Sequence, residues 1–204
     1  MKKKFTVDVC LSPFLYPVYH RDDAIVVVTD ILRATSAICT AFQYGVDKII
    51  PVATIEEAAE YKKQGFLVGA ERNGIPVEGF DFGNSPYSYM SEAIKDQIVV
   101  ISTTNGTQAI EAARNAYKVV IGAFSNITAL CNWLKNQDRD ILLLCSGWKN
   151  RFNLEDTMFA GAVANILLQE KEKFKSGDGA LAAGFLYSAA SSIVATGIIL
   201  STPY

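Results

Sequence analysis

Residues 24–35, AIVVVTDILRAT, decide how this chain is read. The run Ala24 to Val28 is short, wholly apolar and largely β-branched. That pattern suits a strand buried on both faces of a parallel sheet. Asp30, Arg33, Thr35 and Ser36 follow at once, and then a helix-compatible AICTAFQYG (37–45). A carboxylate and a guanidinium at the carboxyl end of a buried strand, beside a helix start, make an anion or metal site. The competing reading is plainer: Asp30 caps the helix and Arg33 is a solvated surface residue.

Outward from that stretch the pattern alternates. Strands are expected at 5–11, 24–29, 48–52, 66–69, 97–102, 118–123 and 140–145. Helices are expected between several of them. Thr54-Ile-Glu-Glu57 reads as a capping box, with Gly65 placed to end the helix that it opens. Further helices are expected over 107–116 and 126–135, and the longest over 157–173. Such alternation predicts an α/β protein with a largely parallel sheet covered by helices, its ligands at the carboxyl ends of the strands. Residues 71–89, rich in Gly, Asn and Pro, read as a functional loop or as a division between two lobes.

The chain has 204 residues, half of them hydrophobic and a fifth charged, with a formal net charge of −2. It is long enough for a sizeable core. It has no broad basic face for nucleic acid. Cys10, Cys39, Cys131 and Cys145 are far apart with no CxxC pair, so reduced thiols and a cytoplasmic setting are expected. Residues 179–204 carry no charge and are long enough to cross a bilayer. Their Ala, Ser, Gly and Tyr content favours a buried core helix with a trailing strand or loop, and no membrane span. The same apolar run is compatible with a homo-oligomer.

The strand ends supply a consistent inventory: Asp30 and Arg33; Glu71 and Arg72; Ser102-Thr-Thr-Asn-Gly-Thr107; Ser125 and Asn126; Cys145-Ser-Gly147, then Glu155 and Asp156. The turn Thr103, Thr104, Asn105, Gly106 and Thr107 offers hydroxyls, a glycine for close approach and a helix start, all suited to a phosphate. A polar turn capping its helix is the alternative. Asp30, Glu71, Glu155 and Asp156 are hard oxygen donors suited to Mg2+. Acidity at a helix N-terminus is the alternative for the last two. Arg33 and Arg72 supply forked donors for acid groups. In GFDFGNSP (79–86), Asp81, Asn84 and Ser85 either complete a polar pocket or form an Asx-type turn.

Absences narrow the chemistry. His20 is the only histidine, and there is no GxxxxGK[ST] loop and no GxGxxG after a strand. Cys145 and Arg151 keep the CxxxxxR spacing of cysteine-dependent phosphatases, a second enzymatic reading. A non-catalytic anion sensor is the alternative from outside enzymology.

DILRAT, TAFQYG, IIPVAT, GAERNG, EGFDFGNSP, STTNGT, GAFSN and EDTMFAG stand here in the order they take in the 2-phosphosulfolactate phosphatases. The chain resembles that family from about Val27 to Gly161, and again weakly in SGDGALAAGFLY. The resemblance implies a Mg2+-dependent phosphatase with a three-layer α/β/α fold. Its substrate would be a small anionic phosphate ester, 2-phospho-3-sulfolactate, on the route to coenzyme M. The whole of residues 1–204 is then expected to form one α/β domain, with any lobe division near 71–96. On this reading Asp30, Glu71 and Asp156 (or Glu155) hold the metal. Thr103 to Thr107 cradle the phosphate, Arg33 and Arg72 bind acid groups, and Asp156 or Asp81 moves the proton.

Overall fold

The computed structural model describes residues 3–195. In chain order its strands are β1 (Phe5–Cys10), β2 (Ile25–Thr29), β3 (Lys48–Pro51), β4 (Leu67–Arg72), β5 (Ile75–Pro76), β6 (Ile98–Ser102), β7 (Lys118–Gly122), β8 (Ile141–Cys145) and β9 (Phe174–Ser176). Its helices are α1 (Tyr16–Tyr19), α2 (Ala34–Gln43), α3 (Ile55–Lys63), α4 (Gly106–Ala112), α5 (Ile127–Lys135), α6 (Leu154–Leu167) and α7 (Asp178–Ala195).

Five strands form one parallel sheet in the order β7-β2-β8-β1-β9. The runs IVVVT of β2 and ILLLC of β8 are central and buried at every position, as continuous apolar strands require. Side chains alternate between two helical layers. Val7, Val9, Ile25, Val27, Ile141 and Leu143 pack with α5, α6 and α7. Val26, Val28, Leu142 and Leu144 face the opposite way, against Tyr16 and Ala109 of α4. The result is the expected three-layer α/β/α arrangement.

Residues 48–102 build a second sheet, β3-β6-β4-β5, parallel except for the two-residue β5. One of its faces packs Val99 and Ile101 against Ala37, Ile38 and Ala41 of α2. The other packs Val68 and Val100 against Val52 and Ala58 of α3. Thr54 caps α3 as expected, its hydroxyl accepting from the Glu57 N–H at 3.1 Å.

One expectation needs correction. The longest described helix is α7, not the run over 157–173: α6 stops at Leu167. Phe174 is 3% exposed in the core and opens β9 beside β1, and the charged segment before it leaves the helix in turns. The uncharged run beginning at Gly179 forms α7, a helix packed on α6. The crossing is so close that a Cβ on Gly161 would lie 2.1 Å from the Ala183 carbonyl oxygen. No described helix is long and apolar enough to cross a membrane. The trailing strand or loop expected over 196–204 lies outside the described residues.

The topology locates a crevice. From β2 the chain next returns to this sheet as β7, at one edge; from β8 it next returns as β9, at the other. Adjacent strands whose connections diverge leave an opening at their carboxyl ends. Asp30 follows β2 there, and the loop to Asp156 follows β8.

Candidate active site

Asp156 fills the opening between β2 and β8. It is fully buried. Its Oδ1 accepts the Ile31 N–H at 2.8 Å, and its Oδ2 accepts the Gly147 N–H and the Asn153 amide, each at 3.0 Å. One carboxylate thus ties the end of β2 to the end of β8. Burial pushes its pKa from 3.8 up to about 8, and the charge of Asp30 adds to the rise.

Asp30 is 6% exposed. Its Oδ1 accepts the Ala34 N–H at the start of α2, 3.2 Å away. The helix-capping reading therefore holds in part, but the carboxylate also looks into the crevice. A Cβ on Gly106 would come within 2.8 Å of Asp30 Oδ2 and 2.6 Å of the Ala34 Cβ, so only glycine lets the turn approach. Burial raises the Asp30 pKa to about 6, with the charges of Glu71 and Glu155 contributing against the Ala34 and Gly106 N–H groups.

Glu71 closes β4 and is 3% exposed. It accepts from the Thr104 N–H at 3.2 Å, the Thr104 hydroxyl at 2.9 Å, the Asn84 amide at 3.3 Å and the Gly74 N–H. Glu155, half-buried at the start of α6, accepts from Asn153 at 3.3 Å. Four carboxylates from three segments therefore share one locality. Among the described residues none of the four is ion-paired with a lysine, arginine or histidine.

The turn over 102–107 follows in large part the alternative reading, a polar turn that caps its helix. Thr103 and Thr107 cap each other, each N–H donating to the other's hydroxyl at 3.2 Å. Thr104 serves Glu71, and the Gly106 N–H faces Asp30. Asn105 Oδ1 accepts the Lys149 N–H at 2.9 Å. Much of the turn's hydrogen bonding thus holds the protein's own acids and loops in place.

The two arginines differ. Arg72 donates to the carbonyls of Glu71 (2.6 Å) and Ala53 (3.4 Å) and to the Ser102 hydroxyl (2.9 Å), so its fork is occupied internally. Arg33 is half-buried and donates once, to the Gly74 carbonyl at 3.1 Å. With Ser85 and Ser125 it lines a cleft of about 460 Å3 that begins at Ile31, the residue whose N–H holds Asp156.

Two other expected residues lie elsewhere. Asp81 is held by Lys62 of α3 at 2.6 Å and by the Val68 N–H at 2.8 Å. Val68 precedes Glu71 by three residues, about 10 Å along the strand. Burial opposes ionisation of Asp81, but the Lys62 and Val68 bonds prevail and its pKa falls. Asn126 is occupied by the Ala123 N–H and the Ile121 carbonyl, both at 3.0 Å.

The cysteine-phosphatase reading fails on physical grounds. Cys145 is fully buried; burial, then the Asp156 charge, drives its thiol well above 9.0. A nucleophilic thiolate needs the opposite environment. The segment before Arg151 is a tight hairpin, not an anion loop. Trp148 and Arg151 pair backbone to backbone, and Lys149 and Asn150 both have positive φ, the pattern of a type I′ turn.

The donor set can be tested for a hard divalent cation. Among the described residues four buried side-chain oxygens lack any partner: Thr29 Oγ1, Asn84 Oδ1, Ser146 Oγ and Asn153 Oδ1. Thr29 and Ser146 adjoin Asp30 and Gly147, while Asn84 and Asn153 bond Glu71 and Asp156. Unpaired acids and orphaned oxygen acceptors fit such an ion. Among the described residues no group of three or more acidic, thiol or imidazole side chains is disposed to hold a metal ion by itself. Mg2+ characteristically takes one or two carboxylates, waters and substrate phosphate, so a closed cage is not what it needs. Ser146 belongs to the Cys145-Ser-Gly147 strand end read from the sequence; Asn153 and Thr29 do not stand out there, and Asn153, directly before an acidic helix start, carries the only signal of the two.

A model of the family described as 2-phosphosulpholactate phosphatase matches residues 10–198. A Thermotoga maritima protein named "Probable 2-phosphosulfolactate phosphatase" is 45% identical over 177 residues, 87% of this chain and 74% of that protein. A Clostridium novyi protein of the same name is 39% identical over 166 residues, 80% of this chain and 70% of its own length. A Clostridium botulinum protein, likewise so named, is 35% identical over 176 residues, covering 84% and 74%.

Proposed function

The chain belongs to the 2-phosphosulpholactate phosphatase family, and from that premise we propose that it hydrolyses the phosphate monoester of a 2-hydroxy acid, 2-phospho-3-sulfolactate, to sulfolactate and inorganic phosphate. The observation that carries this reading is the meeting of Asp30, Glu71, Glu155 and Asp156 without a cationic partner. Buried acids of like charge are costly unless something positive joins them.

Asp30 and Asp156 would hold Mg2+, with water and the substrate's phosphate as its other ligands. When bound, that ion supplies counter-charge for phosphoryl oxygens and acidifies water. The turn at Thr104 and Gly106 fixes the facing carboxylates in advance. Arg33, with donors still open, receives an acid group of the substrate. Asp81 being held by Lys62, proton transfer falls to an acid of the cluster that the cation leaves free. The same reading puts the enzyme in the cytoplasm, on the route to coenzyme M.

The test is phosphate release from 2-phospho-3-sulfolactate by the purified chain with Mg2+. Turnover that disappears in Asp30→Asn is expected. Substrate binding without phosphate release would make the protein an anion sensor and end the enzymatic reading.

A further inference from the structure

The cleft beside Arg33 is lined both by Ile31, whose N–H holds Asp156, and by Pro86, Tyr87 and Phe124. Two of its hydroxyls are turned to backbone: Ser36 donates to the Ile31 carbonyl and Thr40 to the Ser36 carbonyl, both at 2.8 Å. That leaves one cation, the hydroxyls of Ser85 and Ser125, and an apolar wall. A cleft of this volume, mostly apolar with few polar groups, suits a small organic ligand.

The wall is exposed but rigidly placed. Tyr87 is 79% exposed, on a turn fixed two residues later by Tyr89. Tyr89 is fully buried, donates to the Gly83 carbonyl at 2.8 Å, and packs on Phe82. Phe124 is 43% exposed, yet its ring stands edge-on to the fully buried Phe159, centroids 5.2 Å apart. Two bare aromatic rings on anchored supports, next to one open guanidinium and the acid cluster, make a pre-organised wall for a flat apolar group.

We propose that this cleft binds the carbon substituent of the substrate's acid, and that the enzyme accepts phosphorylated 2-hydroxy acids with a flat apolar substituent as well as the small sulfonated one. The carboxylate lies at Arg33, the phosphate at the acid cluster, and the substituent against Tyr87 and Phe124. This rests on the phosphatase reading above, and it adds which acids are taken.

The experiment compares O-phosphorylated 3-phenyllactate with O-phosphorylated lactate by phosphate release, in wild type and Tyr87→Ala. Tyr87 is too exposed for its removal to threaten folding. In wild type the phenyl ester should have the larger kcat/KM, by about tenfold or more. In Tyr87→Ala the ratio of the two constants should drop by about the same factor. An equal ratio in both proteins overturns the proposal. Calorimetric titration with 3-phenyllactate separates the two readings. Phenyllactate binding that weakens about tenfold in Tyr87→Ala, with neither ester hydrolysed, upholds the cleft and removes the phosphatase. Ester hydrolysis without any effect of Tyr87→Ala on binding or ratio does the reverse.

Discussion

Replacing Asp30 by Asn removes one of four unpaired acids at nearly constant shape, and it should push activity and metal-free stability in opposite directions. Asp30 and Asp156 have folded-state pKa values of about 6 and about 8, against 3.8 unfolded. Both are raised, so their stabilising contribution is complete below about pH 4 and is lost as pH rises through 6 and then 8. At about 1.4 kcal/mol per unit, the wild type in EDTA should lose on the order of 5 kcal/mol between pH 5 and pH 8. Asp30→Asn deletes one titration and, by removing its charge, eases the other. The variant's loss over the same interval should be smaller by roughly 2 kcal/mol. For a chain of this size that is a difference of several degrees in Tm. The asparagine amide facing the Gly106 N–H has a cost too, but it does not depend on pH and cancels in the comparison. The assay is thermal unfolding of both proteins in EDTA at pH 5 and pH 8, with phosphate release in Mg2+ alongside. A variant whose Tm falls as steeply with pH as the wild type's would show that these acids do not repel one another, and the reasoning would fail.

Other consequences follow from single contacts. Cys145→Ser should retain phosphate release within a factor of about two, because the buried thiol is protonated at working pH; loss of turnover would restore a cysteine mechanism. Gly106→Ala should cost about 1–3 kcal/mol in chemical denaturation and about a hundredfold in kcat/KM, since the new Cβ meets Ala34 and Asp30. Arg72→Met should lower stability by about 2 kcal/mol in urea while KM hardly moves, as the guanidinium bonds to carbonyls and Ser102. Asp81→Asn should leave kcat/KM within about twofold, which steady-state kinetics would check.

The sheet was legible because its strands are apolar and short. IVVVT and ILLLC admit little else, and the seven expected strands fall within a residue of those observed, except that β4 runs on to Arg72. β5 and β9 were not legible. A two-residue hairpin arm has no period, and β9 exists because one buried phenylalanine is paired beside β1. At the site, the gathering of Asp30, Glu71, Glu155 and Asp156 could be read from acids at successive strand ends. Where each donor points could not. Arg33 and Arg72 look alike in sequence, yet Arg72's internal bonds depend on Ala53 and Ser102, distant along the chain. Asp81 is likewise claimed by Lys62, which no local pattern announces. The phosphate-cradle look of STTNGT arises from hydroxyls and N–H groups that serve carboxylates and one another.

The central claim is that Asp30 and Asp156 share one cation with the substrate's phosphate. Anomalous diffraction from crystals grown with Mn2+ in place of Mg2+ measures this directly. The account predicts one strong peak in the crevice between the ends of β2 and β8, in contact with Asp30 and Asp156. A fully occupied peak elsewhere, with that crevice vacant, would contradict it.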